Sequence, residues 1–208
     1  MPTQHDTTAP HAPTTRDHVI DHAAALIRER GFRATSVGDL LERAGIQKGS
    51  FYYHFPSKED LGHAVLDRFV AELDRSLIDY LSAASGPAPL ERIGAVLDGF
   101  VERADAAGGK GGCAFGTLAM ELSDIHEGFR TRLSGAFRRL ESAFEGQLAR
   151  AREDGALRPD ADPRGLAAFI VAGIEGGMLL AKTHRDVRSL KTPLRFVEAH
   201  LASYRPSA

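Results

Sequence analysis

The side chains best equipped for chemistry crowd into one stretch: Gln47-Lys48-Gly49-Ser50-Phe51-Tyr52-Tyr53-His54-Phe55-Pro56-Ser57-Lys58. On a helix, Phe51 and Phe55 lie four apart and turn to one side together, with Tyr52 joining them in part. The other side then carries Lys48, Ser50, Tyr53 and His54, which offer a cation, hydroxyl groups, an imidazole and an aromatic edge. That set can donate to phosphates and to base edges in a groove. Gly49 lets the backbone come close to a partner, and a helix N-terminus attracts phosphate. Lys58 falls in the first turn of the next helix, where a cation opposes the helix dipole. A phosphate partner gives it a reason to be there. Gln47 could present its amide to adenine in bidentate fashion.

Elsewhere the reactive groups are isolated. Cys113 is the single cysteine, so no internal disulfide is possible and a reducing compartment fits. His18 and His22 are four apart, but no further ligands cluster with them, and no metal is expected. Gly108 to Gly112 lacks the spacing and the ending of a phosphate loop. HExxH, GxSxG and paired-cysteine motifs are absent. The reading is therefore not an enzyme, with no cofactor. The competing class is a small-molecule-binding helical protein or enzyme without a DNA role, which has no use for the polar face of residues 48–54.

The surrounding elements must hold that face in place. The chain has 208 residues, 43% hydrophobic and 26% charged, with a net charge of -2, so it has no global pull on nucleic acid. Over residues 14–60 the basic residues Arg16, Arg28, Arg30, Arg33, Arg43, Lys48 and Lys58 are offset by as many acids. Geometry must concentrate the charge on one face. Residues 1–13 read as a flexible tail rich in Thr, Pro, Ala and His.

After the tail the periodicity predicts about nine helices and little strand. The first spans about Thr15 to Arg30, with Gly31 as its stop. Ser36-x-x-Asp39 resembles a capping box opening the second, which Gly45 ends. The third starts near Lys48 and stops at Pro56. A long fourth helix runs from Ser57 to about Ala84. Helices follow at about 90–107, 113–122 and 124–154. Asp162-Pro163 and Thr192-Pro193 are cap-plus-proline signals that predict starts at Pro163 and Pro193. Gly165 to Ala181 is the most apolar stretch. It is short for a membrane span and holds Glu175, so a buried helix is expected and no membrane. The expected location is cytoplasmic.

Two short helices joined by a glycine turn on a third form a helix-turn-helix. Thr35-Ser36-Val37-x-x-Leu40 and Ala44-Gly45-Ile46-x-Lys48-Gly49-Ser50-Phe51-Tyr52-Tyr53-His54-Phe55-Pro56-Ser57-Lys58-Glu59-x-Leu61 closely resemble the signature of the TetR/AcrR repressor family. That resemblance implies an all-α fold with a three-helix DNA-binding head at 14–60 and an effector-binding and dimerisation body at 61–208. It also implies a homodimer on a palindromic double-stranded operator, released by a small-molecule effector. Lys48, Ser50, Tyr53 and His54 would meet DNA, with Gln47, Gly49 and Tyr52 beside them. Thr35 and Lys58 would hold phosphates. Gln47 stands where the family commonly places Ser or Thr as the cap.

In the body, Phe69, Leu73, Tyr80, Phe100, Phe115, Met120, Phe137 and Met178 are candidates to surround an apolar effector. Two roles fit Glu175: binding a ligand group, or pairing with Arg or His across a dimer. Small residues in the last two helices permit close packing. The resemblance implies a four-helix dimer interface there, for which Phe169, Ala172, Gly173, Gly176, Leu180 and Phe196 are the candidates. Gly112-Cys113-Ala114-Phe115-Gly116-Thr117 resembles a branch of the family in which a cysteine opens the sixth helix. Some regulators of that branch respond to electrophiles or oxidants. A helix N-terminus and Lys110 nearby are expected to lower the Cys113 thiol pKa. A small buried apolar residue is the alternative.

Overall fold

The computed structural model describes residues 14–206. The tail expected at 1–13 lies outside them. Among the described residues there are nine helices and no strand. Helix α1 (Thr15–Arg30) opens on a Thr14–Asp17 capping box and buries Val19, Ile20, Ala23, Ala24, Leu26 and Ile27. Helix α2 (Val37–Ala44) opens on the Ser36–Asp39 pair. The Asp39 N–H donates to Ser36 Oγ at 3.0 Å, and the Ser36 N–H donates back to Asp39 Oδ2 at 2.8 Å. Aspartate thus does the work expected of Glu or Gln. Gly45 (φ 63°, ψ 32°) ends α2 in the left-handed region, where a side chain would be strained. Helix α3 (Lys48–His54) follows.

Helix α4 begins as Lys58–Leu73, passes through a π-helical turn at Asp74–Ile78 and finishes as Asp79–Ser82. Nothing in the sequence pattern points to that turn, and such insertions concentrate at functional sites. Buried Arg92 holds the end of α4, donating to the carbonyls of Tyr80, Ala83 and Ser85 at 2.6–3.0 Å. The body continues with α5 (Pro89–Ala106), α6 (Ala114–Leu122), α7 (Glu127–Glu153), α8 (Pro163–His184) and α9 (Arg188–Ala202).

Helix α9 departs from expectation. It starts five residues before Pro193, which sits inside it. Leu190, fully buried, explains the extra turn. Its backbone packs so closely on Gly177 of α8 that a Cβ there would lie 2.7 Å from Leu190 Cδ1 and 3.1 Å from Leu190 Cα. Burying that leucine, on the order of 2 kcal/mol, offsets much of the cost of an interior proline.

Two apolar cores result. One joins α4 to α9 through Leu81, Leu97, Phe144, Ile170, Ile174 and Leu190. The other joins α1, α2, α3 and the first half of α4, and takes Leu118 and Leu122 from α6 and Phe129 and Leu133 from α7. The head is therefore packed onto α6 and α7 rather than hung from α4. Helix α8 is long and apolar enough to cross a membrane by length and composition. Its contacts are chiefly with α7 and α9, as a helix in a bundle.

Candidate nucleic-acid interface and ligand cavity

The third helix is held from below by its aromatic residues. Phe51 and Phe55 are fully buried, with ring centroids 5.8 Å apart. The Ile46 N–H donates to the Leu41 carbonyl at 3.1 Å, which locks the turn. His18 Nε2 donates to the Ala44 carbonyl at 3.1 Å. His18 is thus a clamp on the end of α2. Among the described residues, no group of His, Cys, Asp and Glu could hold a metal ion.

With that support the opposite side of α3 stands free. Tyr53 is 84% exposed, and Gln47, Lys48, Gly49 and Tyr52 are exposed with it. Gln47 sits at the cap position without a side-chain cap bond, which leaves its amide unengaged there. Ser50 and His54 are only half-exposed, and Tyr52 is more exposed than its spacing from Phe51 suggests. Its ring meets Phe51 edge-on at 5.1 Å, and Lys48 Nζ lies 5.9 Å over it.

Thr35 does not reach this surface. It is 4% exposed, and its hydroxyl donates to the Gly31 carbonyl at 2.7 Å. A residue committed inside the turn cannot also offer that hydroxyl to phosphate. Lys58 is half-buried, with its Nζ 4.4 Å over the Phe32 ring. Burial lowers its pKa, against the pull of Glu121, Asp39 and Glu59.

Ion pairs sort the basic residues of the head. Arg28 pairs with Glu72, Arg30 with Asp39 and Arg43 with Glu29. Arg16, Arg33, Lys48 and Lys58 form no ion pair among the described residues, although Arg16 lies 5.2 Å over the Phe55 ring. Arg16 and Arg33 thus join the candidates for phosphate contact, with no local motif to mark them. The charge balance could not separate them from paired arginines.

In the body a cavity of about 410 Å³ opens between α4, α5, α6, α7 and α8. Phe69, Leu73, Phe100, Cys113, Phe115, Phe137, Glu175 and Met178 all line it. Two expected members do not. Met120 is 86% exposed on the outside of α6, and Tyr80 is on the outside of α4 with Arg92 5.5 Å over its ring. The wall also includes Arg28, Glu72, Ser76, Arg103 and Lys110.

Cys113 caps α6, and its Sγ accepts from the Gly116 N–H at 3.4 Å. The expected thiolate is not favoured there. Burial, and then the Glu175 carboxylate, push the thiol pKa well above its ordinary value. Lys110 does not counter them. Glu175 leans so closely on Gly116 that a Cβ there would lie 2.5 Å from its Oε2. Burial raises the Glu175 pKa, and a bond with Cys113 lowers it in part.

Helices α8 and α9 leave an apolar face uncovered. Phe169 is 46% exposed, Leu180 45% and Phe196 71%, with Ala172 and Gly176 exposed beside them. Leu179 belongs to the same face. Gly173 does not. A Cβ there would meet Val197 Cγ2 at 3.0 Å, so this glycine serves packing of α8 on α9 within the chain.

Two contacts join body and head. Arg28, in the last turn of α1, reaches the cavity wall 4.4 Å over the Phe69 ring. Glu121, near the end of α6, accepts the Arg33 N–H at 2.8 Å, and its carboxylate lies against Gly31.

Known proteins share this fold. Residues 19–65 match the family described as bacterial regulatory proteins, tetR family, and residues 89–197 match a tetracyclin repressor-like C-terminal domain. The chain is 33% identical over 189 residues to the HTH-type transcriptional repressor DhaR of Mycobacterium sp. strain GP1, covering 90% of this chain and 93% of that one. It also resembles the crystal structure of reduced NemR from Escherichia coli, with a TM-score of 0.79 and 28% identity over 93% of this chain and 98% of the other. A cysteine mutant of the TetR-family regulator CifR, solved on a 26-base-pair operator duplex, aligns with a TM-score of 0.76 and 26% identity, covering 92% and 98% of the two chains.

Proposed function

The chain belongs to the TetR family of transcriptional regulators, and on that premise we propose that it is a repressor working as a homodimer on a palindromic operator in the cytoplasm. The observation that carries this reading is the free face of α3, exposed and polar above a wholly buried aromatic underside. Lys48, Tyr52 and Tyr53 are its reading groups, with Gln47 at the rim and Ser50 and His54 making shorter-range contacts. Gly49 admits the DNA backbone, since a Cβ there would meet nothing within 4 Å. Lys58, Arg16 and Arg33 supply phosphate contacts. Head and body divide near residue 60.

The exposed face of α8 and α9 pairs with its symmetry mate. Phe169, Ala172, Gly176, Leu180 and Phe196 form the contact. Two-fold symmetry then spaces the recognition helices by about 34–36 Å, one DNA turn. The cavity receives a small-molecule effector. Helix α6 carries the signal, because its first turn borders the cavity and Glu121 near its end grips the backbone between α1 and α2. An effector that displaces Cys113 or Phe115 would tilt the head through that grip. A covalent effector at Cys113 is the narrower version, and it requires Glu175 to be protonated or moved aside first.

Binding of DNA from upstream of the chain's own gene, followed by fluorescence anisotropy, tests the reading. The wild type is expected to bind, and Lys48→Ala and Tyr53→Ala to weaken binding at least tenfold without unfolding, the scale of about 1.4 kcal/mol. Absence of binding by the wild type to any fragment of that region overturns it. Release of DNA by an electrophile from wild type but not from Cys113→Ser would select the covalent version.

A further inference from the structure

The charges around the cavity do not balance. Arg28 is answered by Glu72, as an ion pair beside the Phe69 ring. Arg103 has no such answer. Its guanidinium lies 4.7 Å over the Phe100 ring, on the cavity wall, and forms no ion pair among the described residues. Arg103 is exposed at that wall, and desolvation there lowers its pKa while Glu102 pulls the other way. Lys110, in the loop at the rim, is likewise without an acidic partner among the described residues. Glu175 is the wall's other carboxyl, and even ionised it answers only one of these two cations. The site's uncompensated charge is therefore positive, on otherwise apolar walls.

A guanidinium is a planar fork that matches a carboxylate with two parallel hydrogen bonds. Its position over Phe100 keeps that fork at the cavity wall. Phe69, Phe115 and Phe137 offer ring edges to an apolar body beyond it, with centroids 6.3 Å apart from Phe69 to Phe115 and from Phe115 to Phe137. We propose that the cavity takes a small organic carboxylate, with its head on the Arg103 fork beside Lys110 and its aromatic or aliphatic body among these phenylalanines. This rests on the cavity being the effector site.

The test is calorimetric titration of the full-length protein with 4-phenylbutyrate and with 4-phenylbutanamide, which has the same shape and no charge. Wild type is expected to bind the carboxylate about tenfold or more tightly than the amide, the scale of a charge-assisted hydrogen bond. Arg103→Gln is expected to erase that preference, with a smaller loss for the amide than for the carboxylate. Arg103→Lys keeps the charge without the fork and is expected to retain part of the preference. Lys110→Gln is expected to cost about twofold to threefold, as for a charge near solvent. Equal binding of the two compounds by wild type, equal losses in Arg103→Gln, or no binding of either compound overturns the proposal. DNA binding is followed in parallel. A preference that depends on Arg103 without any release of DNA would keep the carboxylate site and remove its role as effector site. Release of DNA by uncharged compounds alone would do the reverse.

Discussion

The reading face of α3 and the cavity in the body are built on opposite plans. The face is contiguous in sequence, open to solvent, and supported by two phenylalanines directly beneath it. The cavity is assembled from six helices and a loop, and its polar groups sit in apolar surroundings. On the face, a side chain keeps its contact with water. In the cavity it does not. Cys113 shows the difference: a helix N-terminus and a nearby lysine point to a low thiol pKa, whereas burial and Glu175 raise it. Context outweighs local sequence wherever water is excluded.

The largest effects should separate support from contact. Phe51→Ala removes a fully buried ring from the core of the head. It is expected to cost about 3–5 kcal/mol in urea denaturation and to abolish DNA binding by unfolding the head. Tyr53→Ala, two residues away and 84% exposed, is expected to stay within about 0.5 kcal/mol of wild type yet lose DNA binding. If Tyr53→Ala were as unstable as Phe51→Ala, the division between support and contact would collapse.

A smaller pair of effects tests the faces of α8. Gly177→Ala forces a methyl against Leu190 and is expected to destabilise the chain by about 1–3 kcal/mol. Phe196→Glu places a charge on the uncovered face. It is expected to leave each chain folded and to convert a dimer to monomers in light scattering. A Phe196→Glu variant that stays dimeric would move the interface elsewhere.

The head is legible in the sequence because its information is local. The Ser36–Asp39 box, Gly45 and the Phe51–Phe55 spacing each act within a few residues, and the structure keeps all three. Thr35 escapes that reading because its destination, the Gly31 carbonyl, is fixed by how the turn folds back. Arg16 and Arg33, without an ion pair among the described residues, cannot be sorted from Arg30 and Arg43 without knowing which acid each arginine meets in space. The eight core cavity residues are legible as apolar or buried-polar side chains on helix faces. Tyr80 and Met120 fall outside because a large apolar side chain on an amphipathic helix can also point out. Arg103 gives no signal, since an arginine near a helix end usually meets solvent.

Salt dependence refines the reading face further. Each phosphate contact contributes a slope of about 0.9 in log affinity against log salt. Arg33→Ala and Arg16→Ala are each expected to reduce the measured slope by about one unit. Arg30→Ala and Arg43→Ala, whose charges are already answered by Asp39 and Glu29, should leave it nearly unchanged. Equal reductions in all four variants would mean that ion pairing within the head does not decide which cations meet DNA.

The smallest effect probes the cavity. Glu175 has its pKa raised in the folded chain, so its burial favours folding while the carboxyl is protonated in both states. That contribution is complete below the unfolded value, about 4.3, and is lost as pH rises through the folded value. Glu175→Gln has no such proton to lose. Its melting temperature is therefore expected to gain on wild type as pH is raised through that window, and to lose the advantage again in acid. The same substitution removes the second cause holding up the Cys113 thiol while burial, the first, remains. Alkylation of Cys113 by iodoacetamide at mildly alkaline pH should then quicken modestly. Unchanged alkylation would assign the thiol's suppression to burial alone, and the cavity would govern Cys113 through its shape rather than its charge.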